Sequence, residues 1–186
     1  SVVLVAGGGS RSEGEIWRSV NLGNTWEADT FPFELQAIHF PTPDLGFACG
    51  YGAIIRSENA GLNWDILDVS GDLFSALSFP HPDTGFVVGL TGKIVRTTDG
   101  GDSWTTLRSA SAFVKDRHHY HDVIFLNGQE GYIVGKKSLI LRTSNAGKSW
   151  KKLTPPTEDD FYTICLAPDG KIWISGESGK IFQLND

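Results

Sequence analysis

Residues 108–122 carry the densest set of side chains that could do chemistry: Arg108, Lys115, Asp116, Arg117, His118, His119, Tyr120, His121 and Asp122. Histidine and aspartate are the donor types of a transition-metal site. His118, His119 and His121, however, lack the i, i+4 spacing that sets two ligands on one helical face, and a strand would send only 119 and 121 the same way. No metal is assigned to them and no cofactor is expected. A solvated loop and a contact surface remain. As a contact surface, Arg108, Arg117, His118, His119, Tyr120 and His121 offer cationic, aromatic and hydrogen-bonding groups to a protein or peptide partner.

Other catalytic signatures are missing. The sequence has no Walker-type loop, no Gly-x-Ser-x-Gly and no Cys-x-x-Cys. Gly7-Gly8-Gly9 reads as a turn, with no helical pattern after it to hold a phosphate. A formal net charge of −6 argues against a general nucleic-acid or anionic-membrane binder. No apolar run approaches the length of a membrane span. Cys49 and Cys165 both sit in apolar, strand-like runs of non-adjacent repeats and read as buried free thiols. The chain has no methionine and opens inside a repeat unit, so a longer gene product is expected.

The elements that position residues 108–122 come from an internal repeat. Four segments read Ser/Thr-x-Asn/Asp-x-Gly-x-polar-Trp, with Ser19, Asn21, Gly23 and Trp26 in the first and Ser57, Asn59, Gly61 and Trp64 in the second. Thr97, Asp99, Gly101 and Trp104 form the third, and Thr143, Asn145, Gly147 and Trp150 the fourth. Each follows a short apolar run ending in arginine: Arg18, Arg56, Arg96 or Arg142. An Asx side chain bonds backbone N–H groups ahead of it and glycine supplies positive φ, so each segment predicts a turn between two strands. Only one of the four Asx residues is charged, which favours a structural turn over a calcium loop. The arginines repeat with the scaffold and read as structural.

Between the turns runs a second motif. Phe40, Phe79 and Phe125 are each followed six residues later by Gly46, Gly85 and Gly131, then an aromatic residue and a further short β-rich run. Two strands from each motif give four per unit at a period near 40, as a propeller blade requires. The expected fold class is therefore all-β: a β-propeller of four-stranded antiparallel blades in one domain, 1–186. The blade repeats fall approximately at 1–30, 31–69, 70–109, 110–154 and 155–186. The first lacks its innermost strand and the last its outermost. A five-bladed ring and part of a six- to eight-bladed ring both fit this count.

The turn motif resembles the Asp-box, or BNR, repeat of sialidases and related propellers. Alternation of Phe-x5-Gly-Phe/Tyr-x-x-Gly with Gly-x-Ile-x-Arg-Thr/Ser-x-Asp/Asn-x-Gly-x-x-Trp resembles, more narrowly, the photosystem II assembly and stability factor-like propellers. That resemblance implies a non-catalytic binding or assembly scaffold that meets a protein or peptide partner, and an exported location. On a propeller, residues 108–122 would share a face with Gly7 to Glu15, Lys136-Lys137, Pro155 to Asp160 and Glu177-Ser178. The alternative is a sialidase-like glycoside hydrolase or glycan-binding module. Sialidase resemblance implies an arginine triad and a Tyr–Glu nucleophile pair, and the Arg-Ile-Pro that goes with them is absent. The chain is expected not to be an enzyme. A far-UV spectrum should be that of strands; strong helical bands would sink the propeller reading.

Overall fold

The computed structural model describes residues 2–69, 71, 73–109 and 119–184. The chain divides into two compact units, 1–75 and 76–186. In the first, β1 (Val3–Ser10), β2 (Glu13–Ser19) and β3 (Glu27–Phe31) form one sheet. A second sheet joins β4 (Leu35–His39), β5 (Gly46–Gly50), β6 (Ile54–Ser57) and β7 (Asp65–Ile66). Strand β8 (Phe74–His81) leads into the second unit, where it joins β9 (Thr84–Gly89), β10 (Ile94–Thr97) and β11 (Thr105–Arg108). The next sheet holds β12 (Tyr120–Phe125), β13 (Gly131–Gly135), β14 (Leu139–Thr143) and β15 (Lys151–Lys152). The last holds β16 (Phe161–Leu166), β17 (Ile172–Gly176) and β18 (Ile181–Leu184). Pairing is antiparallel and follows chain order, as in propeller blades. Among the described residues the helical content is one 3-10 turn, Glu177–Gly179.

The Phe-x5-Gly spacing has a steric cause. A Cβ on Gly46, Gly85 or Gly131 would stand 2.2, 2.2 or 2.7 Å from the ring of Phe40, Phe79 or Phe125, so only glycine lets each ring lie flat on the neighbouring strand. The edge of the same ring then meets an Asp-box tryptophan. Phe40–Trp64, Phe79–Trp104 and Phe125–Trp150 have centroids 5.9, 6.3 and 6.0 Å apart at 87°, 84° and 87°, the edge-to-face geometry that aromatic quadrupoles favour. Glycine, phenylalanine and tryptophan thus lock the inner and outer strands of one sheet together.

The four turns are built alike. The hydroxyl of Ser19, Ser57, Thr97 or Thr143 donates to the Asx Oδ1 and accepts from the glycine N–H four residues on. The Asx Oδ1 also accepts from the backbone N–H four residues ahead of it. Its second atom explains why Asn and Asp interchange: Asn21 and Asn145 donate through Nδ2 to the hydroxyls of Thr25 and Ser149, whereas Asp99 accepts from that of Ser103. A hydroxyl at that position serves either partner.

The four tryptophans are not fully buried: Trp64, Trp104 and Trp150 are half-buried, and Trp26 is 37% exposed. Among the described residues the first sheet holds three strands, and no phenylalanine ring meets Trp26 as in the other blades. Two expectations are corrected. Gly7-Gly8-Gly9 is strand and not a turn, because β1 continues through Gly7–Ser10 and pairs Gly7 with Glu15 and Ser10 with Glu13. Cys49 is buried, and burial pushes its thiol pKa up, but Cys165 is exposed on β16. The core lies between adjacent sheets. In the second unit one cluster includes Phe86, Val88, Ile94, Phe125 and Ile133, with the Phe86 and Phe125 rings stacked at 3.5 Å. Another includes Tyr132, Val134, Ile140, Phe161 and Ile174. In the first unit Ile16, Leu35, Ala48 and Ile55 cluster together.

Trp150→Ala should therefore cost about 2–3 kcal/mol in urea unfolding, below the ~3–5 kcal/mol range of a fully buried aromatic. A loss under about 0.5 kcal/mol would show that the stack does not hold the sheet. The turn predicts a pH effect as well. Bonds from the Ser103 hydroxyl first, then the Ser103 amide and the Thr97 hydroxyl, hold the exposed Asp99 carboxyl at a pKa of about 2. A lowered folded pKa stabilises fully above the ordinary carboxylate value near 4, and this is lost as pH falls through about 2. Asp99→Asn should match the unaltered chain at pH 6 and fall less in melting temperature between pH 5 and pH 2. Parallel pH profiles would contradict the turn mechanism.

Candidate functional site

Two inner strands of the second unit, β12 and β16, share an irregularity. Register shifts by one residue between Tyr120 and Asp122 on β12, and between Phe161 and Thr163 on β16. The extra residues of these β-bulges are His121 and Tyr162, and bulges re-aim side chains in this way. The two rings come together at 5.6 Å and 33°. His121 Nδ1 lies 2.7 Å from the Phe161 carbonyl oxygen, and since a carbonyl only accepts, Nδ1 donates there. Tyr162 is 51% exposed beside it.

The bulges are anchored on both sides. Tyr120, one residue before His121, is fully buried, and its hydroxyl accepts from Arg108 Nη1 at 2.7 Å. Burial raises the Tyr120 pKa, and the Arg108 charge partly opposes this. After the bulge, Asp122 takes three bonds: Val123 N at 2.8 Å, Thr163 Oγ1 at 2.7 Å and Ile164 N at 2.9 Å. One carboxylate thus ties β12 to β16. The turn between β13 and β14 closes the cluster. Lys136 N donates to the His119 carbonyl, and Lys137 N donates at 2.7 Å to Asp160 Oδ1, one residue before Phe161. Gly135 is required there, since a Cβ would stand 1.9 Å from the His119 oxygen. Nearby, Lys180 donates to Asp159, and that bond, with one from Thr157, lowers the Asp159 pKa.

Of the residues singled out in the sequence, Arg108, His119 and His121 stand in this cluster. Arg117 and His118 lie outside the described residues. Tyr120 is corrected from contact residue to core anchor, because it has no exposed surface. Tyr162 was missed, since it lies in another repeat and joins His121 only through the topology, whereas Lys137 and Asp160 belong to the Lys136-Lys137 and Pro155 to Asp160 segments expected on this face. The signal was present in alignment of the repeats: Tyr120-His121-Asp122-Val123 corresponds to Phe161-Tyr162-Thr163-Ile164. Among the described residues no group of three or more His, Cys, Asp or Glu could hold a metal ion.

Stacked Gly–Phe–Trp motifs, four Asp-box turns and antiparallel blades in chain order define a β-propeller of the Asp-box class. The profile of the photosynthesis system II assembly factor YCF48 family matches residues 57–158, more than half of the chain, and the chain belongs to that family. Comparison with curated proteins returned no match. A solved structure of YCF48 bound to D1 peptide is similar at 19% identity, over 81% of this chain and 64% of that one, with a TM-score of 0.56. The GH74 enzyme of Niastella koreensis is similar at 15% identity over 97% of this chain, with a TM-score of 0.71. An ancestral GH74 enzyme gives 14%, 99% and 0.70. At these identities the likeness is one of fold. The chain spans 64% of the YCF48 structure and 36% and 30% of the two enzymes.

Asp122→Ala should lower stability by about 2–3 kcal/mol, since it leaves two N–H groups and a hydroxyl without their acceptor. Asp122→Asn keeps an oxygen acceptor and should lose less. Equal losses in urea unfolding would remove Asp122 as a tie between the inner strands.

Proposed function

We propose that this protein is a non-catalytic binding scaffold that takes a protein or peptide segment at the inner-strand bulges of its second unit. The observation that carries the reading is the pairing of His121 with Tyr162. Two bulges set an imidazole and an exposed phenol side by side, on strands fixed by Asp122 below and by Tyr120–Arg108 behind. A planar aromatic with a polar edge contributes contact area at little entropic cost. His119, Arg108 and the Lys136-Lys137 turn border the pair. Family membership supports the assembly role, and the peptide bound to the YCF48 structure supports a peptide ligand.

Catalysis finds less support. Glycoside hydrolysis needs two carboxyl groups facing across a scissile bond. Asp122 is bonded to three donors and Asp160 to Lys137 N, so each is occupied with structure.

The D1 peptide of the YCF48 complex is the first probe, followed by selection from a random peptide display library on the immobilised chain. His121→Ala with Tyr162→Ala should weaken the selected peptide at least tenfold at unchanged melting temperature. Unchanged affinity in that double variant would remove the bulges from the reading, and turnover of a glycoside would overturn the non-catalytic assignment.

A further inference from the structure

The first unit offers a second, chemically distinct surface. Residues 1–75 carry ten acidic and only three cationic side chains, so the acidity of the whole chain is concentrated there. Strand β3 is the longest outer strand of this unit, with five residues against two in β7. It pairs with β2 along one edge, through Gly14–Phe31, Ile16–Asp29 and Arg18–Glu27, and ends the sheet order on the other. Beside it lies a cavity of about 400 Å³, lined by Ala28 to Phe31 of β3 and by Leu62, Asn63 and Trp64 of the second Asp-box turn. Neither Asp29 nor Glu27 has an ion-pair partner among the described residues, and both are exposed.

Trp64 differs from its counterparts. The indole N–H groups of Trp26, Trp104 and Trp150 donate to the glycine carbonyl three residues back, at 3.0, 3.2 and 3.1 Å. That of Trp64 has no acceptor. Its ring is therefore not pinned to its own turn by that bond, and it stands in the wall of the cavity.

We propose that this groove docks an extended, arginine- or lysine-bearing peptide segment, which adds to the open edge of β3. A carboxylate, an indole face and an amide around one cavity are the groups that hold a cationic side chain: Asp29 by a charge-assisted bond, Trp64 by cation–π contact and Asn63 by its side-chain oxygen. The free edge supplies backbone donors and acceptors for strand addition, with specificity coming from the side chain that enters the pocket. This surface is separate from the bulge site and from the aromatic contact proposed there.

The test uses the full chain and a synthetic strand-forming peptide, Thr-Val-Arg-Val-Thr, with its Arg→Gln and Arg→Glu analogues. The arginine peptide should bind, weaken with added salt, and protect amides of β3 from hydrogen exchange. Asp29→Lys, an exposed substitution, should reduce its affinity at least tenfold and restore binding of the glutamate peptide. His121→Ala with Tyr162→Ala should leave binding unchanged, which separates this surface from the bulge site. Equal binding of the arginine and glutamine peptides would overturn the proposal. So would unaltered affinity in Asp29→Lys, or exchange of β3 amides at the free rate with peptide bound.

Discussion

One contact recurs in every complete sheet and the rest of the fold depends on it: a phenylalanine ring lying on a glycine with its edge against an Asp-box tryptophan. The glycine lets the ring drop onto the next strand, and the tryptophan, brought back by the turn, closes over it from the outer side. Inner and outer strands are thereby tied across two intervening strands without a long-range polar network. Where one member is missing the consequence is local. Among the described residues no phenylalanine of the first sheet meets Trp26, which is 37% exposed. The last sheet has Leu166 and Ile172 in the places of Phe and Gly, and Leu166 is 46% exposed.

This contact explains why the fold was legible in the sequence. Its parts have fixed types at fixed spacing, because each is demanded by sterics or by turn geometry rather than by function. The tryptophans are only half-buried for a related reason. The motif reports that a ring packs on one side, and it says nothing about the other side, which faces outward on the outermost strand. Gly7-Gly8-Gly9 reads as a turn in the sequence because three glycines carry no strand preference of their own, whereas pairing with β2 supplies the order that propensity lacks.

The candidate site was legible only in part, and the bulges show why. His121 belongs to a conspicuous polar run, but Tyr162 stands in another repeat and looks like an ordinary strand residue. A bulge is a register event between two strands, so no local pattern announces it. The same geometry corrects Tyr120. The bulges on β4, β12 and β16 are each preceded by a buried anchor, Leu35, Tyr120 or Phe161, at 2%, 0% and 0% exposure. In this register tyrosine is a large apolar body with one hydroxyl to satisfy, and Arg108 satisfies it.

The register also separates what the scaffold fixes from what it leaves open. In the repeat the anchor must be apolar, the sheet glycines must lack a Cβ and the Asx must accept bonds. The bulge position carries no such demand: it is Gln36 on β4, His121 on β12 and Tyr162 on β16. A side chain there is held by a rigid strand yet released from the alternation that would bury it. Sequence can change at that position without disturbing the glycine–phenylalanine–tryptophan contact, because the bulge lies four residues before the phenylalanine, towards the opposite end of the inner strand. A repeat protein built this way can acquire a different surface in each blade while keeping one folding rule, and His121 beside Tyr162 is the instance in which two such positions meet.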